Sequence, residues 1–296
     1  MPNNPKDTSP HLHENDVFEA VSDPTQPDWE QAGLFAEASR QSYDLPGKIS
    51  QWVVSNIGSA DIQHIHEKNT HGFIVETQDR TIISFRGSKG LRNWIGNMDA
   101  LHKEVPYGAV HSGFFKAFKV VQDQVFLALI RAREANRPVV LTGHSLGGAL
   151  ATLTAAYAQY EIGPTPIEAI YTYGMPKFCD PQAAAYTDGF FGDRIFRFVN
   201  NKDIVTRIPP GSHHVGECYW FDENGKFIPQ SQEDVFESLE GTERAELNEA
   251  DFRALKQTIN QPALEGSDDA EIFGLIDAAK DHGIAEYVAL IKQNRL

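Results

Sequence analysis

Apolar positions along this chain follow two rhythms. Short unbroken runs recur: Thr81-Ile82-Ile83-Ser84-Phe85, Pro138-Val139-Val140-Leu141-Thr142, Ala169-Ile170-Tyr171-Thr172-Tyr173 and Arg194-Ile195-Phe196-Arg197-Phe198-Val199. Such runs suit strands buried on both faces. Between them apolar residues return every three or four positions. Ala32, Phe35, Ala36 and Ser39 share a face, with Asp28 placed to cap, which predicts a helix over 29–43. Phe114, Phe118, Val121, Val125 and Leu129 predict one long amphipathic helix over 113–134. Residues 61–66 and 72–77 have strand character, 215–221 and 226–228 read as a hairpin across Asp222-Glu223-Asn224-Gly225, and 281–293 reads as a last helix. Strand, helix and strand in alternation predict an α/β fold, a mainly parallel central sheet with helices on both faces.

Composition refines this picture. A chain of 296 residues, 41% hydrophobic, suits one large domain over 27–296. Residues 1–26, polar and with four prolines, read as a loose N-terminal arm. The net charge of −15 argues against nucleic acid and against electrostatic docking to anionic membranes. Residues 231–281 hold 14 acidic and 4 basic side chains, which is −10 of the −15. About 231–280 therefore reads as an acidic helical insertion, broken at Pro262 and Gly266, with a solvated face. Two cysteines, Cys179 and Cys218, are too few for a disulfide scaffold and read as free thiols. No stretch approaches the ~20 apolar residues of a membrane span, and the N-terminus has no apolar signal core. The expectation is a cytoplasmic protein, or one exported without a cleaved leader.

The chemistry concentrates in Val140 to Ala151, where a buried strand runs through Gly143-His144-Ser145-Leu146-Gly147 into the small-residue run Ala149-Leu150-Ala151-Thr152. Strand, G-x-S-x-G and helix form the nucleophile elbow of α/β-hydrolases. A strand turning sharply into a helix strains the serine, and its neighbours must lack a Cβ. A serine nucleophile needs a base, and the base a carboxylate, in the chain order Ser, Asp or Glu, His. Asp203, just beyond the carboxyl end of the strand 194–199, is the candidate acid, because sites in open parallel sheets gather at that edge. Asp180, Asp188 and Asp193 read instead as turn or cap residues. For the base the residues alone leave His213, His214 and His282 open.

Several segments, taken in order, resemble the class 3 lipase family, the group of filamentous-fungal triacylglycerol lipases. They are Phe85-Arg86-Gly87-Ser88 with Asn93-Trp94, Val110-His111-Ser112-Gly113-Phe114, Gly143 to Leu150, Tyr173-Gly174-Met175-Pro176, Asp203-Ile204-Val205 with Pro209-Pro210, His214-Val215-Gly216-Glu217 with Tyr219-Trp220, and Asp281-His282 with Tyr287. The likeness runs from about 70 to 220 and again at 281–287; residues 1–26 and 231–280 lie outside it. It implies an α/β-hydrolase fold, His282 as base, His214 as a structural histidine, and Ser88 as an oxyanion-hole residue beside the Leu146 N–H. His111 and His144 are expected to pack near the elbow.

Residues 89–100 carry Leu91, Trp94, Ile95 and Met98 on one helical face. Their position after the oxyanion loop implies, by the same resemblance, a lid whose apolar face covers the cleft or meets lipid. The expected activity is hydrolysis of acylglycerols at a droplet or micelle surface, with neutral glycerides preferred over anionic phospholipids. An esterase for soluble or feruloyl esters, and a non-catalytic lipid-binding protein on the same fold, are the rival readings. No cofactor is expected: no Walker loop, no G-x-G-x-x-G after a strand and no tight Cys/His cluster is present. No metal and no protein partner are expected either.

Overall fold

The computed structural model describes residues 28–99, 101–228, 247–260 and 281–295. The predicted N-terminal arm over 1–26 lies outside them, as does most of the acidic insertion. Among the described residues, eight strands form one sheet in the order β1-β2-β3-β6-β7-β8-β9-β10. β1 (Asp61–Glu67), β2 (Thr70–Glu76) and β3 (Thr81–Phe85) pair antiparallel. β3, β6 (Val139–His144), β7 (Ile167–Tyr173), β8 (Ile195–Asn200) and β9 (Glu217–Phe221) run parallel. β10 (Phe227–Ile228) folds back on β9 as a hairpin, Phe227 opposite Phe221. A separate ribbon pairs β4 (His102–Val105) with β5 (Gly108–His111).

The period-two alternation of the strands divides the core. Ile74, Ile83, Leu141, Ile170 and Ile195 face one cluster. On that side lie α3 (Leu91–Asn97), α4 (Ser112–Lys119), α5 (Gln122–Glu134), α6 (Leu146–Glu161) and α7 (Pro181–Phe191). Phe73, Val75, Ile82, Val140, Tyr171, Tyr173 and Phe198 face the other cluster. It is covered by α1 (Trp29–Gln41), α2 (Pro46–Asn56) and the C-terminal helix Ile284–Asn294. Asp28 caps α1 by accepting from Glu30 N and Gln31 N at 2.8 and 3.1 Å. Glu76, at the end of β2, takes bonds from Arg131 of α5 and from Arg137 ahead of β6, at 3.1 and 3.2 Å.

The helix expected over 113–134 is two helices, α4 and α5, broken at Val120-Val121. The break falls at two β-branched residues, which are restricted at χ1 in a helix. It turns Val121, 1% exposed, into the same core as Phe118. Of the acidic insertion, residues 247–260 are described and form a helix, α8 (Glu249–Asn260). The C-terminal helix, α9 hereafter, begins at Ile284, so His282 sits in the turn before it. Among the described residues no helix is long and apolar enough to cross a membrane, and both cysteines are free thiols.

Candidate active site

The parallel strands all deliver their carboxyl ends to one edge. At the end of β6, Ser145 takes φ 58° and ψ −131°, a conformation L-residues rarely adopt. Its N–H donates to Tyr173 O on β7 at 2.9 Å, which holds the strained residue against the sheet. A Cβ on Gly147 would stand 2.2 Å from Phe85 O, so only glycine lets α6 start this close to β3. The segment after β3 presses on the serine from the other side. A Cβ on Gly87 would lie 2.9 Å from Ser145 Cβ and 2.6 Å from His144 O. Ser88, half-buried, follows directly, and Leu146 opens α6, where the first backbone N–H groups have no partner inside the helix.

Asp203, 1% exposed, lies three residues beyond β8. Its Oδ1 accepts from Val205 N at 2.9 Å and its Oδ2 from the Tyr287 hydroxyl at 2.6 Å. His282 Nδ1–H donates to the same carboxylate, 2.8 Å from Oδ2. Asp281 fastens the histidine's turn to the Asp203 loop. Its Oδ2 accepts from Asn201 Nδ2 and Lys202 N at 3.1 and 3.2 Å, and its carbonyl from Asn200 Nδ2 at 2.9 Å. With Nδ1 committed to Asp203, His282 Nε2 is left as the acceptor nitrogen. It is buried and has no hydrogen-bond partner, Ser145 Oγ included.

The three histidines that the residues left open are thus separated by geometry. His282 lies on Asp203, His214 donates from Nε2 to Thr206 O at 2.7 Å, and His213 is exposed. Of the acids set aside, Asp180 caps α7 through Ala183 N at 2.8 Å. Asp188 does not cap its own helix; it accepts from Gly216 N at 2.8 Å and pins the turn before β9.

Around this centre runs a bond chain that sequence patterns do not announce. The Tyr43 hydroxyl meets the Gly87 backbone N–H and donates to His144 Nδ1 at 2.8 Å. His144 Nε2–H in turn donates to the His282 carbonyl at 2.6 Å. Burial, with the neighbouring His282, holds His144 well below the usual histidine range, so it stays neutral in this tautomer. Burial and the Asp203 carboxylate push the Tyr287 phenol well above its ordinary range, so it remains a donor. His111 joins the segment after α3 to α4: Nδ1 accepts from Phe114 N, and Nε2–H donates to Asp99 O at 2.6 Å. Burial lowers its pKa as well.

The expected lid face points inward. Ile95 and Met98 are 1% and 4% exposed, Leu91 and Trp94 pack on the same cluster, and Trp94 stacks on Phe114 at 6.2 Å. Helix α8 rests on α3, its Phe252 and Leu255 buried in that cluster and its Lys256 Nζ donating to Met98 O. Ser145 and His282 are 2% and 3% exposed, so both are shut off from solvent. A cavity of about 1140 Å³ opens beside α3 and α4 and is lined in part by Ser88, Leu146, Trp94, Met98, Phe114 and Phe115. Ser145, Asp203 and His282 do not line it.

Residues 82–213 match the family described as Lipase (class 3). A secreted mono- and diacylglycerol lipase of Fusarium solani is 36% identical over 149 residues, 48% of this chain and 44% of that protein. A lipase of Rhizomucor miehei is 36% identical over 157 residues, 49% of this chain and 43% of that protein. The chain thus spans less than half the length of these two relatives. Among solved structures, a triacylglycerol lipase whose catalytic centre is a serine protease triad is 26% identical, with a TM-score of 0.59 over 73% of this chain and 91% of that one. A fungal lipase–inhibitor complex that served as a model for interfacial activation is 28% identical, with a TM-score of 0.53 over 66% of this chain and 79% of that one. The fold is that of the α/β-hydrolases.

Proposed function

We propose that this chain, which belongs to the class 3 lipase family through residues 82–213, hydrolyses acylglycerol esters with Ser145 as nucleophile, His282 as base and Asp203 as orienting acid. The observation that carries the reading is the orphaned His282 Nε2. It is a buried nitrogen with no partner, its ring held by a buried carboxylate 2.8 Å from the opposite nitrogen. His144 has both nitrogens satisfied, and His214, whose Nδ1 is also unpartnered, sets its other nitrogen on a backbone carbonyl. His282 instead has its open nitrogen opposite one held by a buried carboxylate.

The steps follow from that arrangement. Nε2 takes the Ser145 proton, Oγ attacks the ester carbonyl, and the alcohol leaves with that proton, giving an acyl-enzyme. Water, deprotonated by the same nitrogen, releases the fatty acid. Asp203 fixes the tautomer and stabilises the imidazolium. The carbonyl oxygen becomes an anion against the Leu146 N–H and Ser88, each such donor being worth about 3 kcal/mol of barrier. Apo sites often have loose catalytic hydrogen bonds that tighten with substrate, and the missing Ser145–His282 bond fits a resting form. The burial of Ser145 and His282 supports a lid over 89–100, with Leu91, Trp94, Ile95 and Met98 turned toward lipid on opening. The substrate surface is then a droplet or micelle.

The test is the tributyrin hydrolysis rate, scanned from below to above its solubility limit for wild type and Ser145→Ala. A rate that jumps as droplets form, absent in the variant, is expected. Saturation below the limit would replace the lipase reading with a soluble-ester esterase. Equal rates in both proteins would remove Ser145 from the mechanism.

A further inference from the structure

The chain carries −15 overall, yet among the described residues the cavity beside the oxyanion residues is lined by four lysines and a single carboxylate. Lys68 comes from the β1–β2 turn, Lys103 from β4, and Lys116 and Lys119 from α4, so three separate elements aim positive charge at one space. Lys119 is engaged with Gln122 Oε1 and lies 5.4 Å from the Tyr157 ring. Lys68, Lys103 and Lys116 are exposed and form no ion pair with any described residue. The carboxylate, Asp99, stands 3.8 Å from His111 Nε2. Trp94, stacked on Phe114, lines the same cavity, as do Phe115 and Leu146.

A cavity that holds aromatic walls, the oxyanion residues and ammonium groups with no ion pair to any described residue matches one kind of ligand: an acyl chain attached to an anion. We propose that this cavity is a subsite for the anionic group of an acyl amphiphile, a phosphate headgroup or a carboxylate, and that it directs the enzyme toward anionic glycerolipids. The inference rests on the acylglycerol reading above. It reverses the expected preference for neutral glycerides, because the lysines come together from separate elements without any one basic amphipathic helix.

Two experiments test it. The first measures fatty-acid release from didecanoyl phosphatidylglycerol and from didecanoylglycerol, each in neutral-detergent micelles. The enzymes are wild type, a Lys68→Gln/Lys116→Gln double variant, and the charge-keeping pair Lys68→Arg/Lys116→Arg. Each lysine near an anionic lipid contributes about a fivefold factor. The ratio of anionic to neutral rates should therefore fall at least tenfold in the glutamine variant, survive in the arginine variant, and weaken with added salt. The second titrates decyl phosphate and decanoate, below their micelle concentrations, into Ser145→Ala with and without the lysine substitutions. Lysine-dependent binding of decyl phosphate supports a headgroup subsite, and such binding of decanoate alone supports a site for the released acid. If neither ligand depends on the lysines and the rate ratio is unchanged, the inference fails. If binding holds while neither lipid is hydrolysed, the acylglycerol reading fails and the anion subsite stands.

Discussion

Replacing Tyr287 with phenylalanine isolates the support beneath Asp203, the proposed catalytic acid. Its hydroxyl donates to Asp203 Oδ2 at 2.6 Å and accepts from Asn200 N at 3.1 Å, in a fully buried position. The first bond is charge-assisted and contributes about 1.5–3 kcal/mol; losing the second leaves a buried N–H unsatisfied, at a cost of about 1–3 kcal/mol. The ring stays, so no cavity larger than an oxygen is added. Tyr287→Phe should therefore destabilise the protein by about 3–5 kcal/mol, which at about 2–4 °C per kcal/mol for a chain of this size lowers Tm by roughly 10 °C. Asp203 keeps Val205 N and His282 but can pivot, and kcat/KM should fall about tenfold, a change of about 1.4 kcal/mol in the barrier. Thermal unfolding followed by circular dichroism and tributyrin hydrolysis read the two effects. A variant with Tm within 2 °C of wild type and an unchanged kcat/KM would mean that the hydroxyl does not hold Asp203.

Other consequences are as direct. Gly87→Ala places a methyl 2.9 Å from Ser145 Cβ and 2.6 Å from His144 O; displacing the proposed oxyanion loop should cut kcat at least a hundredfold, and retention of a tenth of wild-type activity would refute that placement. Phe252→Ala removes a side chain 4% exposed in α8, which rests on α3, the proposed lid helix, a loss of about 3–5 kcal/mol in packing. The closed form should weaken, raising the rate on dissolved tributyrin and shrinking the jump at the solubility limit; an unchanged jump would separate α8 from lid closure. The pKa values of His144 and His111 are lowered mainly by burial. Below about pH 6.5 the unfolded chain binds protons that the folded one refuses, so their contribution is complete above that pH. Stability falls by up to about 1.4 kcal/mol per pH unit for each histidine as pH drops from there toward the folded values. Urea midpoints at pH 7.5, 6.5 and 5.5 test this: His144→Gln should flatten the slope, and a wild-type midpoint constant over that range would contradict it.

What could be read from the chain alone was whatever depends on short-range pattern. The elbow was legible because strain at Ser145 forces glycine at nearby positions, and the strands because β3, β6, β7 and β8 are buried on both faces and so lack polar alternation. Asp203 followed from its place after a strand. His282 did not follow from the residues, because 79 positions separate it from Asp203; only its likeness to a known motif selected it over His213 and His214. The break between α4 and α5 was hidden, since Val120-Val121 fits the helical period as well as it fits a bend. The Tyr43–His144–His282 chain, the seating of α8 on α3 and the lysines around the cavity arise from distant elements meeting, and no local spacing records such meetings.

The identity of the nucleophile bears most directly on the whole account. The protein, mixed with tributyrin droplets to open the lid, would be treated with diethyl p-nitrophenyl phosphate, and the modified peptide located by mass spectrometry. The account predicts one p-nitrophenolate released per chain, one diethylphosphoryl adduct on Ser145, no adduct in Ser145→Ala, and labelling slowed by several orders of magnitude in Asp203→Asn. An adduct on another residue, or equal labelling of Ser145→Ala, would contradict it.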